Sequence, residues 1–142
     1  MFSVTRPLRF GDCDPSGIAY YPSYLRIMDS VVEDFFASFG VERRTMIDDQ
    51  KIGTPTVTLE LAFMKPGFHG DQLQFEIHVR ALGRSSLDLE HRVSARGEIL
   101  WTARQRLVAT SLETHRSIPW PAEIRAALEK HLETDNAHDP AT

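Results

Sequence analysis

The chain has 142 residues, 25% of them charged and 42% hydrophobic, with a formal net charge of −4 and one cysteine. That length sets a prior for one domain with a real core. The charge balance excludes a general field for nucleic acid or an anionic membrane, so an anionic ligand needs a local basic cluster, and a lone cysteine excludes an internal disulfide, which fits a reducing compartment.

The opening "MFSVTRPLRF" has no apolar run of signal-peptide length, and no uninterrupted apolar stretch reaches the ~18 residues of a membrane span. A cytoplasmic protein without membrane insertion is expected. Residues 3–10 set Val4, Leu8 and Phe10 against Thr5, Pro7 and Arg9, a first strand that Pro7 assigns to a sheet edge. A helix is predicted from Pro22 to Phe39. Leu25, Met28, Val32, Phe35, Phe36 and Phe39 form its apolar stripe, Pro22 suits its start and Gly40 its stop.

Residues 54–64 then alternate at Val57, Leu59, Leu61 and Phe63, and "PGFHG" reads as a turn. Residues 72–82 alternate at Leu73, Phe75, Ile77, Val79 and Ala81; residues 85–95 at Leu87, Leu89, His91 and Val93; residues 99–111 form a last long strand. Gly83-Arg84 and Arg96-Gly97-Glu98 supply tight turns, so the strands pair as antiparallel hairpins. A terminal helix is predicted over residues 121–132, with Ile124, Leu128 and Leu132 on one side. The expected architecture is α+β, an antiparallel sheet of about five strands wrapped around one long central helix. It forms a single domain over residues 1–133, with 134–142 as a disordered tail.

The chemistry concentrates in "RFGDCDPSGIAYYPSYLRIMD", residues 9–29. Asp12-Cys13-Asp14-Pro15-Ser16-Gly17 imitates the start of a calcium loop, but position 12 of that loop falls on Ser23, which cannot give two carboxylate oxygens. A phosphatase-type D-x-D needs a parallel β-α-β context, and the hairpins exclude it. Asp12 reads as a turn former. Asp14 stands a few residues before a helix N-terminus, whose first N–H groups lack internal partners. A carboxylate on one side of a carbonyl carbon, with N–H donors on its oxygen and Ser16-Gly17 as a flexible link between them, is a minimal acyl-transfer site. The six histidines show no metal-ligand spacing, so no metal is expected. Cys13 lies between two aspartates, a poor setting for a thiolate.

The run "FGDCDPSGIAYYPSY", with "GTP" near residue 53, resembles the 4-hydroxybenzoyl-CoA thioesterase family of hot-dog enzymes, in element order as well as motif, over about residues 4–120. The pattern G-D-x-D-x-x-G-I-x-x-Y-P is specific. The resemblance implies a hot-dog fold and hydrolysis of an aromatic acyl-CoA, with CoA as part of the substrate and no separate cofactor. It makes Asp14 the catalytic carboxylate and the backbone N–H of Tyr21 the group polarising the thioester carbonyl. It adds Gly17 and Tyr20 to the substrate site and gives Asp29 to the 4-hydroxyl of the acyl ring. Tyr20 stands where benzoyl-specific relatives carry Trp. Pro22 stands where short-chain acyl-CoA thioesterases of the Tol–Pal-associated type carry His. Arg84 and Ser85 match part of a basic turn that contacts CoA, and Leu82 and Gly83 replace two of its basic positions. Arg104 and Arg106 alternate on the last strand, as CoA contacts or as a solvated outer face. The resemblance further implies a homo-oligomer, a dimer doubled to a tetramer, with sites at the interface. Two other readings stay open: the short-chain thioesterase, and a non-catalytic hot-dog module that binds an acyl chain or a partner.

Overall fold

The structure, a computed structural model, describes residues 1–133; the tail expected at 134–142 lies outside the described residues. Five strands form one antiparallel sheet in the order β1-β4-β5-β6-β3. They are β1 (Phe2–Pro7), β3 (Thr56–Phe63), β4 (Gln72–Leu82), β5 (Ser86–Ala95) and β6 (Glu98–Val108). As Pro7 required, β1 is an edge strand. The β5–β6 turn consists of Arg96 (φ 54°) and Gly97 (φ 75°), the doubly left-handed pair that matches strand twist.

The long helix α1 (Tyr21–Ala37) lies across this sheet. At its C-terminus Gly40 has φ 87°, its N–H reaches Ala37 O (3.0 Å), and Val41 N–H reaches Phe36 O (3.0 Å). Only a residue tolerant of the left-handed region closes a helix this way. The buried face of α1 is Tyr24, Met28, Val31, Val32, Phe35 and Phe36. Leu25 and Phe39, expected in the stripe, are only partly buried and pack at its margin. The sheet answers with Leu73, Phe75, Ile77, Leu87, Leu89, Val93 and Trp101, all at most 1% exposed. Each such side chain contributes about 1.5–3 kcal/mol by leaving water.

Three register shifts interrupt the expected alternation, one of them between Val93 and Ser94 in the β5–β6 pairing. Another, between Val79 and Ala81, leaves Ala81 exposed. The third, between Thr56 and Thr58, lies in β3. The alternation expected in β3 holds for Leu59, Leu61 and Phe63 but not for Val57, the extra residue of that shift, and Val57 (52%), Leu59 (37%) and Phe63 (51%) remain exposed on the last strand of the sheet.

Not anticipated were a 3-10 turn at Phe10–Asp12, the short helix α2 (Arg43–Asp48) and a small ribbon of β2 (Ile52–Gly53) with β7 (Thr110–Ser111), which separates from β6 at Ala109 inside the strand expected over residues 99–111. The terminal helix α3 (Ala122–His131) buries Ile124 and Leu128. Beyond it, Leu132 pairs beside Val79 and Glu133 N–H bonds Val79 O (2.9 Å), extending the β4 edge past β1.

Candidate active site

The loop from β1 to α1 is a small clamped hairpin. Asp12 accepts from the Arg9 N–H (2.9 Å) and pairs with Arg26 (3.2 Å), and its carbonyl takes the Tyr20 N–H (2.9 Å). This is the turn-forming role read for it. Cys13 pairs with Ala19, Asp14 N–H bonds Ile18 O (2.9 Å), and Gly17 N–H bonds Asp14 O (2.9 Å). Gly17 has φ 85°, a region that suits glycine. The link through Ser16-Gly17 is therefore a fixed turn rather than a flexible one. It is anchored from outside as well: His69 N–H bonds Gly17 O and Ala19 N–H bonds Gly67 O, both at 2.9 Å.

The Asp14 side chain is exposed and accepts hydrogen bonds from the Ser16 N–H (2.8 Å) and from the Ser16 hydroxyl. Those bonds hold its pKa below the usual carboxylate value, the hydroxyl contributing most. The group is ionised at neutral pH. Next to it Cys13 is pushed the other way, by burial first and then by Asp12, Asp14 and Asp71, so it is no nucleophile.

At the start of α1, Tyr20 occupies the N-cap without a side-chain hydrogen bond and Pro22 has no N–H to offer. Ser23 N–H returns to Tyr20 O (2.8 Å). Among the described residues the Tyr21 N–H has no partner. It stands at the positive end of the helix dipole.

Beside Tyr21 lies a cavity of about 310 Å3, lined by Ile18, Tyr21, Tyr24, Phe63, Lys65 and Gly67 among others. Its wall is aromatic: the Tyr21 and Phe63 rings are 6.1 Å apart, and Tyr24 stacks on Phe63 at 6.4 Å. Tyr20, also expected in the site, is 55% exposed with its ring 6.1 Å from that of Tyr21. Phe63, Lys65, Gly67 and Tyr24 were not singled out in the sequence. Phe63 read there as strand periodicity, Tyr24 fell outside the stripe read for the helix, and "PGFHG" read only as a turn.

Asp29 is not in this cavity. It sits eight residues further along α1, roughly 12 Å at the helical rise. It borders a second cavity of about 300 Å3 with Arg43, Met46, Ile52, Thr54 and Pro55. Its two carboxylate oxygens face the Arg43 guanidinium at 2.9 and 3.3 Å. Arg43 comes from α2, so sequence reading had no means to place it.

Arg84 and Ser85 are further away still. They form the β4–β5 turn, while the Asp14 loop is tied through Gly17 O to the His69 N–H before the other end of β4. The eleven residues of β4 separate them by roughly 35 Å. The backbone of this turn is tied down by Trp120 N–H on Arg84 O (3.0 Å) and Ala109 N–H on Ser85 O (2.8 Å), and the Arg84 side chain is exposed. Within one chain the structure bonds Asp14 to Gly17 in the loop that leads into α1 at Tyr21, and leaves Asp29 and the Arg84–Ser85 turn apart. Arg106 pairs with Asp88 (2.7 and 2.9 Å) on the outer face of the sheet, away from all of these. Among the described residues no group of His, Cys, Asp and Glu could hold a metal ion, and no helix is long and apolar enough to cross a membrane.

Residues 8–128 match the thioesterase-like superfamily. The chain is 28% identical over 129 residues to a 1,4-dihydroxy-2-naphthoyl-CoA hydrolase of Synechococcus elongatus, covering 90% of this chain and 95% of that protein. It is 33% identical over 94 residues to a 4-hydroxybenzoyl-CoA thioesterase of Pseudomonas sp., covering 65% of this chain and 67% of that protein. Among solved structures, a 4-hydroxybenzoyl-CoA thioesterase variant complexed with 4-hydroxybenzoyl-CoA superposes with TM-score 0.81 at 26% identity, over 88% of this chain and 96% of that one. A gentisyl-coenzyme A thioesterase superposes with TM-score 0.80 at 27% identity, over 87% and 99%. The sheet wrapped on α1, the clamped Asp14 loop and these likenesses lead to one assignment: the chain belongs to the thioesterase-like superfamily of hot-dog enzymes, and within it to the 4-hydroxybenzoyl-CoA thioesterase family.

Proposed function

We propose that this enzyme hydrolyses an aromatic acyl-CoA thioester to the free acid and CoA. One observation carries the reading: a single clamped loop holds an ionised carboxylate, Asp14, and runs into α1 at an unpartnered N–H, that of Tyr21, which borders an aromatic-walled cavity. A thioester carbonyl oxygen on the Tyr21 N–H is polarised by the donor and the dipole. Asp14 then acts in one of two ways. As nucleophile, it adds to the carbonyl carbon, expels CoA thiolate and leaves a mixed anhydride that water cleaves. As general base, it takes the proton of a water that attacks the same carbon. A single turnover in 18O water separates them: label in Asp14 supports the first, an unlabelled enzyme the second.

The exposed apolar edge of β3 supports a dimer through that edge. Unpaired ladder groups and exposed Val57, Leu59 and Phe63 make a surface that a second copy covers by antiparallel pairing. Such pairing sets the Phe63 end of one β3 against the Thr56 end of the other. The Asp29 cavity of one copy, which borders Thr54 and Pro55, then faces the Tyr21 cavity of its mate. In this arrangement Asp29 meets the far end of an acyl ring held by the other subunit. The Arg84–Ser85 turn, too distant to serve its own Asp14, reaches CoA phosphates held at a neighbouring copy's site.

A panel of aryl, short-chain and medium-chain CoA thioesters, assayed for free thiol, tests the reading. Fastest turnover on hydroxylated aroyl-CoA supports it. Turnover confined to short chains would transfer the enzyme to that branch, and silence across the panel would make it a binding module.

A further inference from the structure

A polar chain inside the sheet takes no part in the chemistry described so far. His91 on β5 is 0% exposed, and its Nε2 lies 2.8 Å from Gln105 Oε1 on β6. Gln105 Nε2 lies 3.0 Å from Thr56 Oγ1 on β3. The amide nitrogen only donates and the amide oxygen only accepts, which fixes the direction. His91 gives its Nε2–H to Gln105, Gln105 gives an N–H to Thr56, and the Thr56 hydroxyl, already accepting, has its own proton left to give. The His91 Nδ1 is buried without a partner. An apolar residue at 91 would avoid that cost. The chain trades it for a donor held in one orientation at the edge of the sheet.

A bulge aims that donor. Thr58 is opposite Arg106 on the outer face and borders the charged hollow there, whereas Thr56 is opposite Leu107, with Val57 as the extra residue between them. Strict alternation would put Thr56 and Thr58 on the same, outer face. The inserted residue turns Thr56 to the face that carries Gln105, Leu107 and α1. Bulges are used in this way, to re-aim a side chain near a site.

We infer that Thr56 is a specificity residue for the acyl pocket of the second copy. This rests on the β3 dimer and the aromatic substrate proposed above. Pairing the eight residues of β3 with themselves, antiparallel and fully overlapped, sets Thr56 opposite Phe63 of the other copy, which lines the cavity beside Tyr21. The face is preserved, because two such sheets join into one with both helices on the same side. Thr56 then offers a hydrogen to an oxygen on the bound acyl ring, while Asp29, which lines one cavity with Thr54 and Pro55 just before Thr56 in the chain, offers a carboxylate that accepts one. A phenolic hydroxyl both donates and accepts, so the pair is complementary to it.

The test compares kcat/KM for 4-hydroxybenzoyl-CoA and benzoyl-CoA in the wild type, Thr56→Val, Thr56→Ser and the double variant His91→Leu with Gln105→Leu, with sedimentation to establish the dimer. The ratio of the two values falls about three- to tenfold in Thr56→Val. It falls similarly in the double variant, which keeps Thr56 but no longer aligns it, and returns in Thr56→Ser. An unchanged ratio in dimeric Thr56→Val overturns the role of Thr56 and leaves the aromatic thioesterase reading standing. Equal loss on both thioesters shows a merely structural part and overturns it as well. A wild type inert on both thioesters brings down the functional reading, and the specificity role with it. Should the double variant not fold, the two Thr56 variants decide.

Discussion

A Cβ placed on Gly67 would stand 2.2 Å from the Tyr24 hydroxyl, closer than any real contact allows. The two residues line the Tyr21 cavity, and Gly67 O also receives the Ala19 N–H of the Asp14 loop. Gly67→Ala is therefore expected to cost about 1–3 kcal/mol in stability and to lower activity by displacing the loop. Tyr24→Phe in the same chain removes the clashing oxygen and restores part of both. Thermal melts of the two single variants and the double form a cycle, and additivity between them would show that the contact is not the cause.

Asp14→Asn keeps the shape of the loop and removes its charge. The expected result is a fall in kcat of about a thousandfold or more with acyl-CoA still bound, measured by steady-state kinetics and titration calorimetry. The Ser16 bonds lower the Asp14 pKa, so the carboxylate form persists below the ordinary carboxylate range. Activity on the acid side should therefore extend below that range. Ser16→Ala removes the leading contribution and shifts the acid limb of kcat/KM upward. An acid limb that does not move would detach Asp14 from the rate.

Leu59 lies at the middle of the exposed β3 edge, four residues before Phe63 and outside the lining of the Tyr21 cavity. Leu59→Lys places a charge on that edge, the device natural edge strands use to prevent pairing. Sedimentation should show the dimer dissociating, and turnover on hydroxylated aroyl-CoA should fall together with it. Full activity in a clean monomer would mean that one chain holds a complete site.

His91 adds a pH dependence to stability. Burial lowers its pKa from 6.5 to about 4. The folded state keeps the ring neutral while the unfolded chain takes up a proton below about 6.5. Stability is thus full above the unfolded value and declines as the pH falls from about 6.5 to about 4, by a total of order 3 kcal/mol. Urea titrations across that window measure it. The variant with Leu at both 91 and 105 should lose this component of the slope, and an unchanged slope would assign it to other groups.

Much of this was legible in the chain. The stripe of α1 and its Gly40 stop, the hairpins, and the alternation of β4, β5 and β6 are local patterns, repeating within the length of the element that they specify. The Asp14 loop was legible for the same reason, because acid, turn glycine and helix start lie within eight residues of one another. The short helix α2 was not, since six residues are too few to show a period. The bulges at Val57 and Arg80 were not either, because an inserted residue is seen only when the partner strand supplies the count.

Local pattern was enough for the inward-facing residues of α1, for most of those of β4 and β5, and for the acid that stands before the helix. It could say that β3 has an apolar face but not that α1 fails to cover it. That emerges only in the folded chain, and with it the separation of Asp29 and the Arg84 turn from Asp14, the salt link of Asp29 to Arg43, and the chain of bonds from His91 to Thr56. The physical reason is range: periodicity and capping act over a few residues of backbone, whereas a hydrogen bond or an ion pair between distant residues exists only once strands lie side by side at about 4.8 Å.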